Sequence, residues 1–528
     1  MSQETIDELR RVRPELAGPF AAAVPGARAE VLGRLWGAFS REPLPGITGR
    51  RHETDALTIS LRNGRSLTGP ASCARRFAPI PEDFTVTGPD GPISQSKHLL
   101  ATLGLRTLAA GRLGAELDNS VVNLALARAA HFAGPPPVVD SADAEQAVVD
   151  GHPQHPCCRT RTGLSVSEVL AYAPEHHPVV DLALLAVPAD RWQPSGDWPQ
   201  ELRDGDTILM PMHPWQRDHV LRQHADLAVT GQTIPARPLL SLRTLAPLGT
   251  LTGCHIKTAL DVQVTNYKRT ISPAEVVDGP RLSDLLCTVI DKIGYGESLR
   301  VLREVGGGSV RAKRGAPSES LAAMIREGWE QHLGADEIAV PLTAVHATGA
   351  TLAAGDPERW LTDFAELVLP PALTLLSMGI ALEAHGQNTL VVLREGRPVR
   401  VLYRDLDGVR IHPGRLDTHG FTLPPLAGNR AGDDEWALRT KLFGGLLSGV
   451  FSELVDVLSR GRGAAPEALW RAVAMVGRHV YALLPDTEDA AVFFDATLPL
   501  KATIAMRLAD SPGTAQWVPV SNPLARFR

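Results

Sequence analysis

Two short apolar runs near residue 400 form the clearest strand pattern in the chain. Thr389–Leu393 and Val399–Tyr403 are rich in branched residues, and the turn-like segment between them contains Gly396. Two such runs with a Gly/Pro break predict an antiparallel hairpin. If the turn is centred on Gly396, Thr389 lies opposite Tyr403 and the residues just outside both strands meet at the open end.

Helical spacing dominates the chain around and beyond this hairpin. Asp356 and Pro357 suit the N-cap and the first residue of a helix, and Pro370-Pro371 is expected to end it. Long helical patterns follow at Glu435–Leu458 and Ala465–Leu484. The segment 303–320, which includes a short basic run, is instead interpreted as a flexible, solvated loop.

The open end of the predicted hairpin collects polar side chains, namely Glu383, His385, Asn388 and Asp405. Carboxylate and amide oxygens suit Mg²⁺, which is usually shared with substrate phosphates. A kinase-like phosphotransferase would also need a catalytic Asp shortly before the Asn. Gln387 stands there and cannot act as a base, so ATP binding is expected more than phosphoryl transfer. An ordinary surface hairpin is the alternative.

Cations and hydroxyls precede this segment on predicted strands. Cys254–Tyr267 alternates as one long strand, with Lys257 on its polar face and Arg269 after its end. The preceding element ends in Ser241-Leu242-Arg243-Thr244. Such donors on adjacent strands would form a cradle for a triphosphate. Together with the acidic hairpin they predict an ATP cleft between two domains.

The segment GHPQHPCCRTRTG, which begins at Gly151, holds four further donors: His152, His155, Arg159 and Arg161. Arginine's planar fork suits a carboxylate, so this loop could bind an anionic substrate. A solvated basic turn is an equally open interpretation. Zinc is less expected, because prolines follow both histidines and no second ligand pair has zinc-finger spacing.

Composition limits the class of protein. A length of 528 residues suggests about three domains. The net charge of −6 gives no reason to expect nucleic acid or an anionic membrane as a partner, and a homodimer is left open. The first residues lack a signal-peptide pattern, and the five cysteines include no C-x-x-C pair, so a reduced cytoplasm is expected.

These motifs together resemble one family. GHPQHPCCRTRTG is similar to the GHPxHPxxKxRxG signature of the siderophore synthetases that work without a nonribosomal peptide synthetase, the IucA/IucC family. The segments HPWQ, SLRT, EAHGQN and RDLDG follow in that family's order and approximate spacing, and the resemblance covers about residues 95–525. The chain departs from the signature at Arg159, where the family usually has Lys.

The resemblance implies an α+β fold shaped like a cupped hand. Its parts would be a thumb (1–145), fingers with an antiparallel sheet (146–350) and a largely helical, kinase-like palm (351–528), with ATP between fingers and palm. It implies adenylation of a carboxylic acid, foremost citrate or a citrate derivative. An amine, hydroxylamine or alcohol then attacks the acyl-adenylate to give an amide or ester, with AMP and pyrophosphate as by-products.

The resemblance also implies roles for residues. Lys257, Arg269 and His385 would be catalytic. Magnesium would be held by Glu383, Asn388 and Asp405. The nucleotide would be bound by Ser241, Arg243, Thr244, Lys257, Arg269, His385, Gln387, Asn388 and Asp405. The acid is expected at His152, His155, Arg159 and Arg161, with Lys501 and Arg507 as further candidates. A kinase-like phosphotransferase and a non-catalytic iron-chelate binding protein remain as alternatives.

Overall fold

The thumb is built from helices packed on a small antiparallel sheet. The computed structural model describes residues 2–132, 134, 136–265, 267–311, 315–345, 355–509 and 515–528. The thumb helices are α1 (Ser2–Val12), α2 (Ala17–Arg41), α3 (Ser96–Ala101) and α4 (Leu108–Ala130). Its strands pair in sequence order as β1 (Ile47–His52), β2 (Ala56–Leu61), β3 (Ser66–Pro70), β4 (Val86–Gly88) and β5 (Gly91–Ile93).

The fingers contain a nine-stranded sheet in the order β8-β17-β18-β13-β12-β11-β7-β10-β9, and its neighbouring strands pair antiparallel. The strands are β6 (Arg161–Thr162), β7 (Val180–Pro188), β8 (Trp192–Gly196), β9 (Arg203–Asp204), β10 (Thr207–Met212), β11 (Ala228–Pro238), β12 (Thr244–Pro247), β13 (Cys254–Thr258), β14 (Leu260–Val264), β15 (Tyr267–Arg269), β16 (Leu299–Val301), β17 (Glu304–Arg311), β18 (Pro317–Glu327) and β19 (Glu337–Pro341). The helices are α5 (Ser141–Gln146), α6 (Val166–Tyr172), α7 (Pro214–His219) and α8 (Pro273–Lys292).

The single strand predicted over Cys254–Tyr267 is wrong, because the chain changes sheets within it. β13 lies in the nine-stranded sheet, whereas β14 and β15 form a three-stranded sheet with β6. The alternation continues across the change, so the sequence pattern does not reveal it. The change leaves Lys257 near the end of β13, directly opposite Thr244 of β12.

The loop predicted over 303–320 is also wrong for its described part. β17 and β18 form a hairpin inside the large sheet, while the basic run at 312–314 lies outside the described residues. The three glycines of β17 allow close packing. A β-carbon at Gly308 would lie 2.7 Å from Cη2 of Trp192 on the adjacent strand. Here glycine makes room for a large side chain of the neighbouring strand in the same sheet, although the sequence pattern resembles a loop.

The palm combines a four-stranded sheet with most of the remaining helices. Its strands are β20 (Ile380–Ala381), β21 (Thr389–Arg394), β22 (Arg397–Tyr403), β23 (Arg410–Ile411), β24 (Thr497–Lys501) and β25 (Trp517–Ser521). Its helices are α9 (Pro357–Ser377), α10 (Pro413–Thr418), α11 (Glu435–Gly445), α12 (Ser452–Arg462), α13 (Pro466–Leu483), α14 (Glu488–Phe493) and α15 (Thr503–Leu508).

The predicted hairpin is confirmed in its register. Thr389 pairs with Tyr403, and the two turn residues Glu395 and Gly396 both have positive φ, as a tight primed turn requires. The helix start at Asp356 is confirmed, but α9 continues through Pro370-Pro371 to Ser377. Each of the two prolines lacks a backbone N–H, so two helical hydrogen bonds are lost. Buried apolar residues on both sides of the prolines stabilise the helix nevertheless.

The palm sheet draws strands from the range predicted for the fingers. Its order is β16-β22-β21-β19, so Leu299–Val301 and Glu337–Pro341 flank the hairpin. Residue 350, the expected boundary, lies outside the described residues. At the other end of the chain, Leu500 and Ile504 join a core cluster that includes the thumb's Phe20. We therefore propose that fingers and palm interleave along the chain.

One helical run, Glu435–Gly461, is long and apolar enough to cross a bilayer, and 72% of its apolar window is buried inside the protein. This run comprises α11, a π-helical segment at Leu446–Phe451 and most of α12. Burial of this extent is typical of a core helix, and the long helical patterns predicted at Glu435–Leu458 and Ala465–Leu484 are confirmed.

Gly308→Ala tests the packing of β17. The added methyl group would overlap the Trp192 ring, so we expect the free energy of unfolding to fall by about 1–3 kcal/mol. Urea denaturation followed by fluorescence measures this change. The matched control is Gly111→Ala in α4, where nothing lies within 4 Å of the new methyl group and a slight stabilisation is expected. Equal unfolding midpoints for the two variants would contradict this packing.

Candidate active site

An ion pair between fingers and palm lies at the centre of the candidate site. Nζ of Lys257, on β13, is 2.9 Å from Oδ1 of Asp405, which follows β22. The ammonium also contacts Glu275 of α8 and lies 3.9 Å from Glu304 of β17. Burial lowers the pKa of Lys257, but Asp405 and Glu275 outweigh burial and raise it overall. The lysine is therefore a fixed cation.

The two glutamates beside Lys257 were not predicted from the sequence. Glu275 lies three residues after Ser272, whose hydroxyl caps α8, so the pattern reads as an ordinary capping box. Neither carboxylate oxygen of Glu304 has a hydrogen-bond partner among the described residues, and burial raises its pKa to about 7. Glu304 lies in the segment that was interpreted as a loop, so its burial could not be anticipated.

The predicted cations of the fingers do come together. Arg243 donates to the carbonyl oxygens of Arg269 and Thr270, at 3.0 and 2.6 Å. Arg269 donates to Oγ1 of Thr265 at 2.9 Å, and burial together with the Arg243 charge lowers its pKa to about 10. Ser241 Oγ accepts from the backbone N–H of Thr244 at 3.1 Å. This region is suited to polyanionic groups.

Three residues around these cations adopt the left-handed backbone region although none is glycine. Leu242 has φ 69°, Thr265 has φ 52° and Asp405 has φ 68°. A bulky or β-branched residue with positive φ costs of order 1–3 kcal/mol and persists only where surrounding contacts impose it. Leu242 directly precedes Arg243, and Thr265 accepts a hydrogen bond from Arg269. The backbone of Asp405 positions its own carboxylate.

On the palm side, Glu383 is held by two lysines. Its Oε1 lies 2.9 Å from Nζ of Lys441 and 3.8 Å from Nζ of Lys501. Burial raises its pKa, but Lys441 and Lys501 outweigh burial and lower the pKa to about 2. Gly408 leaves room for this side chain, because a β-carbon there would lie 2.7 Å from Glu383 Cβ. Lys441, on helix α11, was not predicted.

The segment between Glu383 and β21 is fixed through its backbone. Arg404 donates from Nε to the Gln387 carbonyl oxygen at 3.1 Å, and its other donors pair with buried Glu145 of α5. The Asn388 carbonyl oxygen accepts from Arg404 N–H at 3.0 Å, while its side-chain amide has no partner among the described residues. Burial lowers the pKa of His385, which favours a neutral imidazole.

The two histidines of the GHPQHP segment differ in exposure. His155 is buried and its Nδ1 accepts from the backbone N–H of Cys157 at 2.9 Å. The His152 ring is 6.0 Å from the His155 ring and remains accessible within the cleft. Partial desolvation, together with the nearby His155 and His385, lowers the pKa of His152. His152 therefore belongs to the same charge environment as His385 and Lys501.

The arginines of that segment are not in the cleft, contrary to expectation. Arg159 and Arg161 are both buried against the carboxylate of Glu175, and Arg159 also donates to the Val149 carbonyl oxygen at 2.8 Å. Burial raises the pKa of Glu175, but the two arginines lower it far below its usual range. Their donors brace the loop from inside the protein. Arg507 is likewise paired with Glu116 of α4.

The residues predicted to hold magnesium fit a metal that arrives with phosphates. Among the described residues no group of three or more His, Cys, Asp or Glu could hold a metal ion. Asp405, with a partly exposed carboxylate, and the Asn388 amide offer hard oxygen donors beside the cations. Mg²⁺ commonly takes one or two such ligands and completes its shell with waters and phosphates. A cage made of protein ligands alone is not present in the described part of the chain.

Glu175→Gln tests the bracing role of the arginines. It leaves two buried guanidinium groups without a carboxylate, so we expect a loss of about 3–5 kcal/mol in the free energy of unfolding. Urea denaturation measures the loss, with the exposed Glu201→Gln as control. A Glu175→Gln protein as stable as the wild type would show that Glu175 does not hold the two arginines in place, and would return Arg159 and Arg161 to the list of substrate ligands.

Comparison with known proteins shows which families and enzymes this chain is similar to. Residues 140–347 match the model of the IucA / IucC family, and residues 358–514 match that of the ferric iron reductase FhuF-like transporter. Two similar proteins come from Staphylococcus aureus (strain NCTC 8325 / PS 47). Staphyloferrin A synthase is 24% identical over 429 residues, with 72% of each chain covered. L-2,3-diaminopropanoate–citrate ligase is 28% identical over 450 residues, covering 72% of this chain and 74% of the relative.

Solved structures share the whole fold. The petrobactin biosynthesis protein AsbB from Bacillus anthracis str. Sterne superposes with a TM-score of 0.82 at 19% identity, covering 100% of this chain and 98% of AsbB. ATP-bound aerobactin synthetase IucA from Klebsiella pneumoniae gives a TM-score of 0.78 at 19% identity, with 94% and 99% covered. The predicted three-part α+β fold is thus confirmed. Residues 140–347 thus form an IucA / IucC family segment, within a chain that has the fold of the aerobactin synthetase IucA.

Proposed function

We propose that this protein is an ATP-dependent ligase that adenylates a carboxylic acid and joins it to an amine, with release of pyrophosphate and AMP. The observation that carries the proposal is the contact of Lys257 with Asp405 across the fingers–palm cleft, at 2.9 Å. It brings the cations that suit a triphosphate to the oxygen donors that suit its metal.

Citrate or a citrate derivative is the proposed acid. Support comes from the relative named L-2,3-diaminopropanoate–citrate ligase, and for the nucleotide from the ATP-bound structure of aerobactin synthetase IucA. A cytoplasmic location is part of the proposal, in keeping with five cysteines that are all free thiols.

The first step needs charge and position more than a base. A carboxylate oxygen of the acid attacks the α-phosphorus, an O–P bond forms, and the bond to pyrophosphate breaks with its electron pair. The acid is already ionised at neutral pH, so Gln387 at the kinase-base position is no obstacle. Lys257, Arg243 and Arg269 would bind the phosphates, where positioned cations stabilise developing charge. Asp405 and Asn388 would hold Mg²⁺, with Glu383 as a further candidate ligand. The metal would neutralise part of the phosphate charge.

In the second step the amine nitrogen attacks the carbonyl carbon of the acyl-adenylate. The C–N bond forms, the C–O bond to AMP breaks with its electron pair, and the nitrogen loses a proton. The lowered pKa of His385 keeps its imidazole neutral at pH 7, so His385 is available to accept that proton.

The non-reacting carboxylates of the acid need cationic partners. Because Arg159 and Arg161 are occupied by Glu175, we propose Lys501 for this role, with Lys441 beside it. The amine in the name of the diaminopropanoate ligase carries a second amino group. We propose the same chemical class here, a nucleophile with a second, non-reacting ammonium.

The alternatives predict other products. A kinase-like phosphotransferase would give ADP, and an iron-chelate binding protein would turn over no nucleotide. The kinase interpretation is disfavoured by Gln387, which cannot act as the base, and a binding protein would leave the acidic and basic sets on opposite walls of the cleft unexplained. The segment that matches the FhuF-like model, residues 358–514, contains no cysteine, so it has no thiolate ligands for an iron–sulfur centre.

Asp405→Asn tests the acidic wall. Loss of the carboxylate should lower citrate-dependent pyrophosphate release at least ~100-fold, because charge neutralisation at phosphorus is worth several kcal/mol. Pyrophosphate release and AMP formation are measured together, and a thermal melt confirms folding. ADP in place of AMP from the wild-type protein would refute ligation, and near-normal release from a folded variant would remove Asp405 from the site.

Arg269→Ala tests the basic wall with an adjacent control. Removing a buried charge-assisted contact should raise the KM for ATP about ten- to a hundred-fold. The preceding residue, Lys268, is exposed, so Lys268→Ala should change the KM less than about twofold. Similar effects at both positions would point to general electrostatics and not to a specific phosphate contact.

A further inference from the structure

A second cavity lies behind the segment that carries His152. Its volume is about 530 Å³, within the range of sites for small molecules. Thumb helices α2 and α4 form one wall, the segment 147–153 another, and palm helix α12 closes it with Glu453 and Arg460. None of the residues predicted from the sequence to bind nucleotide, acid or metal lines this cavity.

Most charges on the cavity wall neutralise one another. Arg34 donates from Nε to Glu30 at 2.8 Å, and Arg128 makes two contacts with the Asp150 carboxylate, at 2.9 and 3.2 Å. Arg460 pairs with Asp456 on its own helix. After these pairs are formed, the carboxyl of Glu453 is left without an ion-pair partner among the described residues of the wall.

Glu453 is unusual for a buried acid. Its side chain is 7% exposed, and Oε1 has no hydrogen-bond partner among the described residues. Burial raises its pKa to about 8, a shift that Arg34 opposes and Asp456 adds to. A buried polar group without a partner costs free energy and calls for an explanation. An ammonium ion supplies three donors and the missing positive charge.

The cavity and the active-site cleft share a wall. Arg34 donates to the carbonyl oxygen of His152 at 2.7 Å, and the His152 imidazole feels the charges of His385 and Lys501. Thr343, which lines the cavity, donates from its N–H to the carbonyl oxygen of Gly386 at 3.1 Å. A molecule held at Glu453 would therefore lie next to the segments that carry both neutral histidines.

We propose that this cavity binds the nucleophile, with Glu453 holding the non-reacting ammonium of a diamine or diamino acid. The inference rests on the proposed ligase function. The other amino group, as the free base, would be directed to the acyl-adenylate near His152. It would form the C–N bond as AMP leaves, and its proton would pass to a neutral imidazole. A monoamine would lack the anchor.

Direct binding tests the proposal without catalysis. Calorimetry on the full-length protein, with 1,4-diaminobutane as the cationic probe and 1,4-butanediol as the uncharged probe of similar length, should show the diamine bound at least ten-fold more tightly. Glu453→Gln keeps the shape and removes the charge, so diamine affinity should fall about ten- to a hundred-fold. Glu467→Gln, an exposed glutamate at the start of α13, is the control and should leave affinity unchanged.

Proton release gives a readout that a structural role would not move. At pH 7 the unliganded Glu453 carboxyl holds its proton, so binding an ammonium should release about one proton per diamine. Repeating the titration in buffers of different ionisation enthalpy measures this number. Release should vanish in Glu453→Gln, and a thermal melt checks that this variant is folded.

Kinetics separates this inference from the ligase proposal. In Glu453→Gln, citrate-dependent pyrophosphate release should be normal while the KM for the diamine in amide formation rises. Absence of pyrophosphate release from the wild-type protein would overturn the proposed function itself. The cavity assignment fails if pyrophosphate release is normal but the diamine binds wild type and Glu453→Gln equally, or binds neither.

Discussion

The contact of buried Lys257 with half-buried Asp405 is the constraint on which the site depends. An ion pair in this setting is costly to desolvate and persists only where further contacts satisfy both charges. Glu275 and Glu304 approach the lysine from α8 and β17, while Arg243 approaches the aspartate. Fingers and palm are thus held in register by a charge cluster whose members are scattered over 150 residues of sequence.

This cluster also accounts for the local backbone strain. Leu242, Thr265 and Asp405 all have positive φ, and all lie within the segments that carry the cluster's charged groups. Backbone strain of this kind persists where surrounding contacts fix a residue's position more strongly than its own conformational preference does. The interleaving of β16 and β19 into the palm sheet has the same effect on a larger scale, because it limits independent movement of the two walls of the cleft.

Local signals predicted a large part of this structure. The hairpin register followed from one glycine turn, and the cations on β13 and β15 were found because polar residues stood out on strands. Failures came where tertiary packing reversed a local preference. Gly306–Gly308 resembled a loop but form a strand under Trp192, and Pro370-Pro371 lie inside a buried helix.

Partners across the chain were the least predictable feature. Arg159 and Arg161 had the composition of a substrate site, yet both are buried against the single carboxylate of Glu175. Nothing near Glu175 in the sequence marks it as their partner. Glu275 appeared as a helix-capping residue, and Lys441 as one of many charges on a long helix. Sequence identifies which charges exist, whereas the fold decides which of them remain available to a ligand.

Availability explains how the cleft would receive its ligands. Without a ligand, Lys257 contacts Asp405, and Lys441 and Lys501 approach Glu383, so these two carboxylates already have cationic partners. A triphosphate alone would draw Lys257 away from Asp405, and a metal alone would draw Asp405 away and leave the lysine to Glu275 and Glu304. Either event removes a favourable contact of a partly desolvated charge. Nucleotide and metal together satisfy both groups, which favours their binding as one complex.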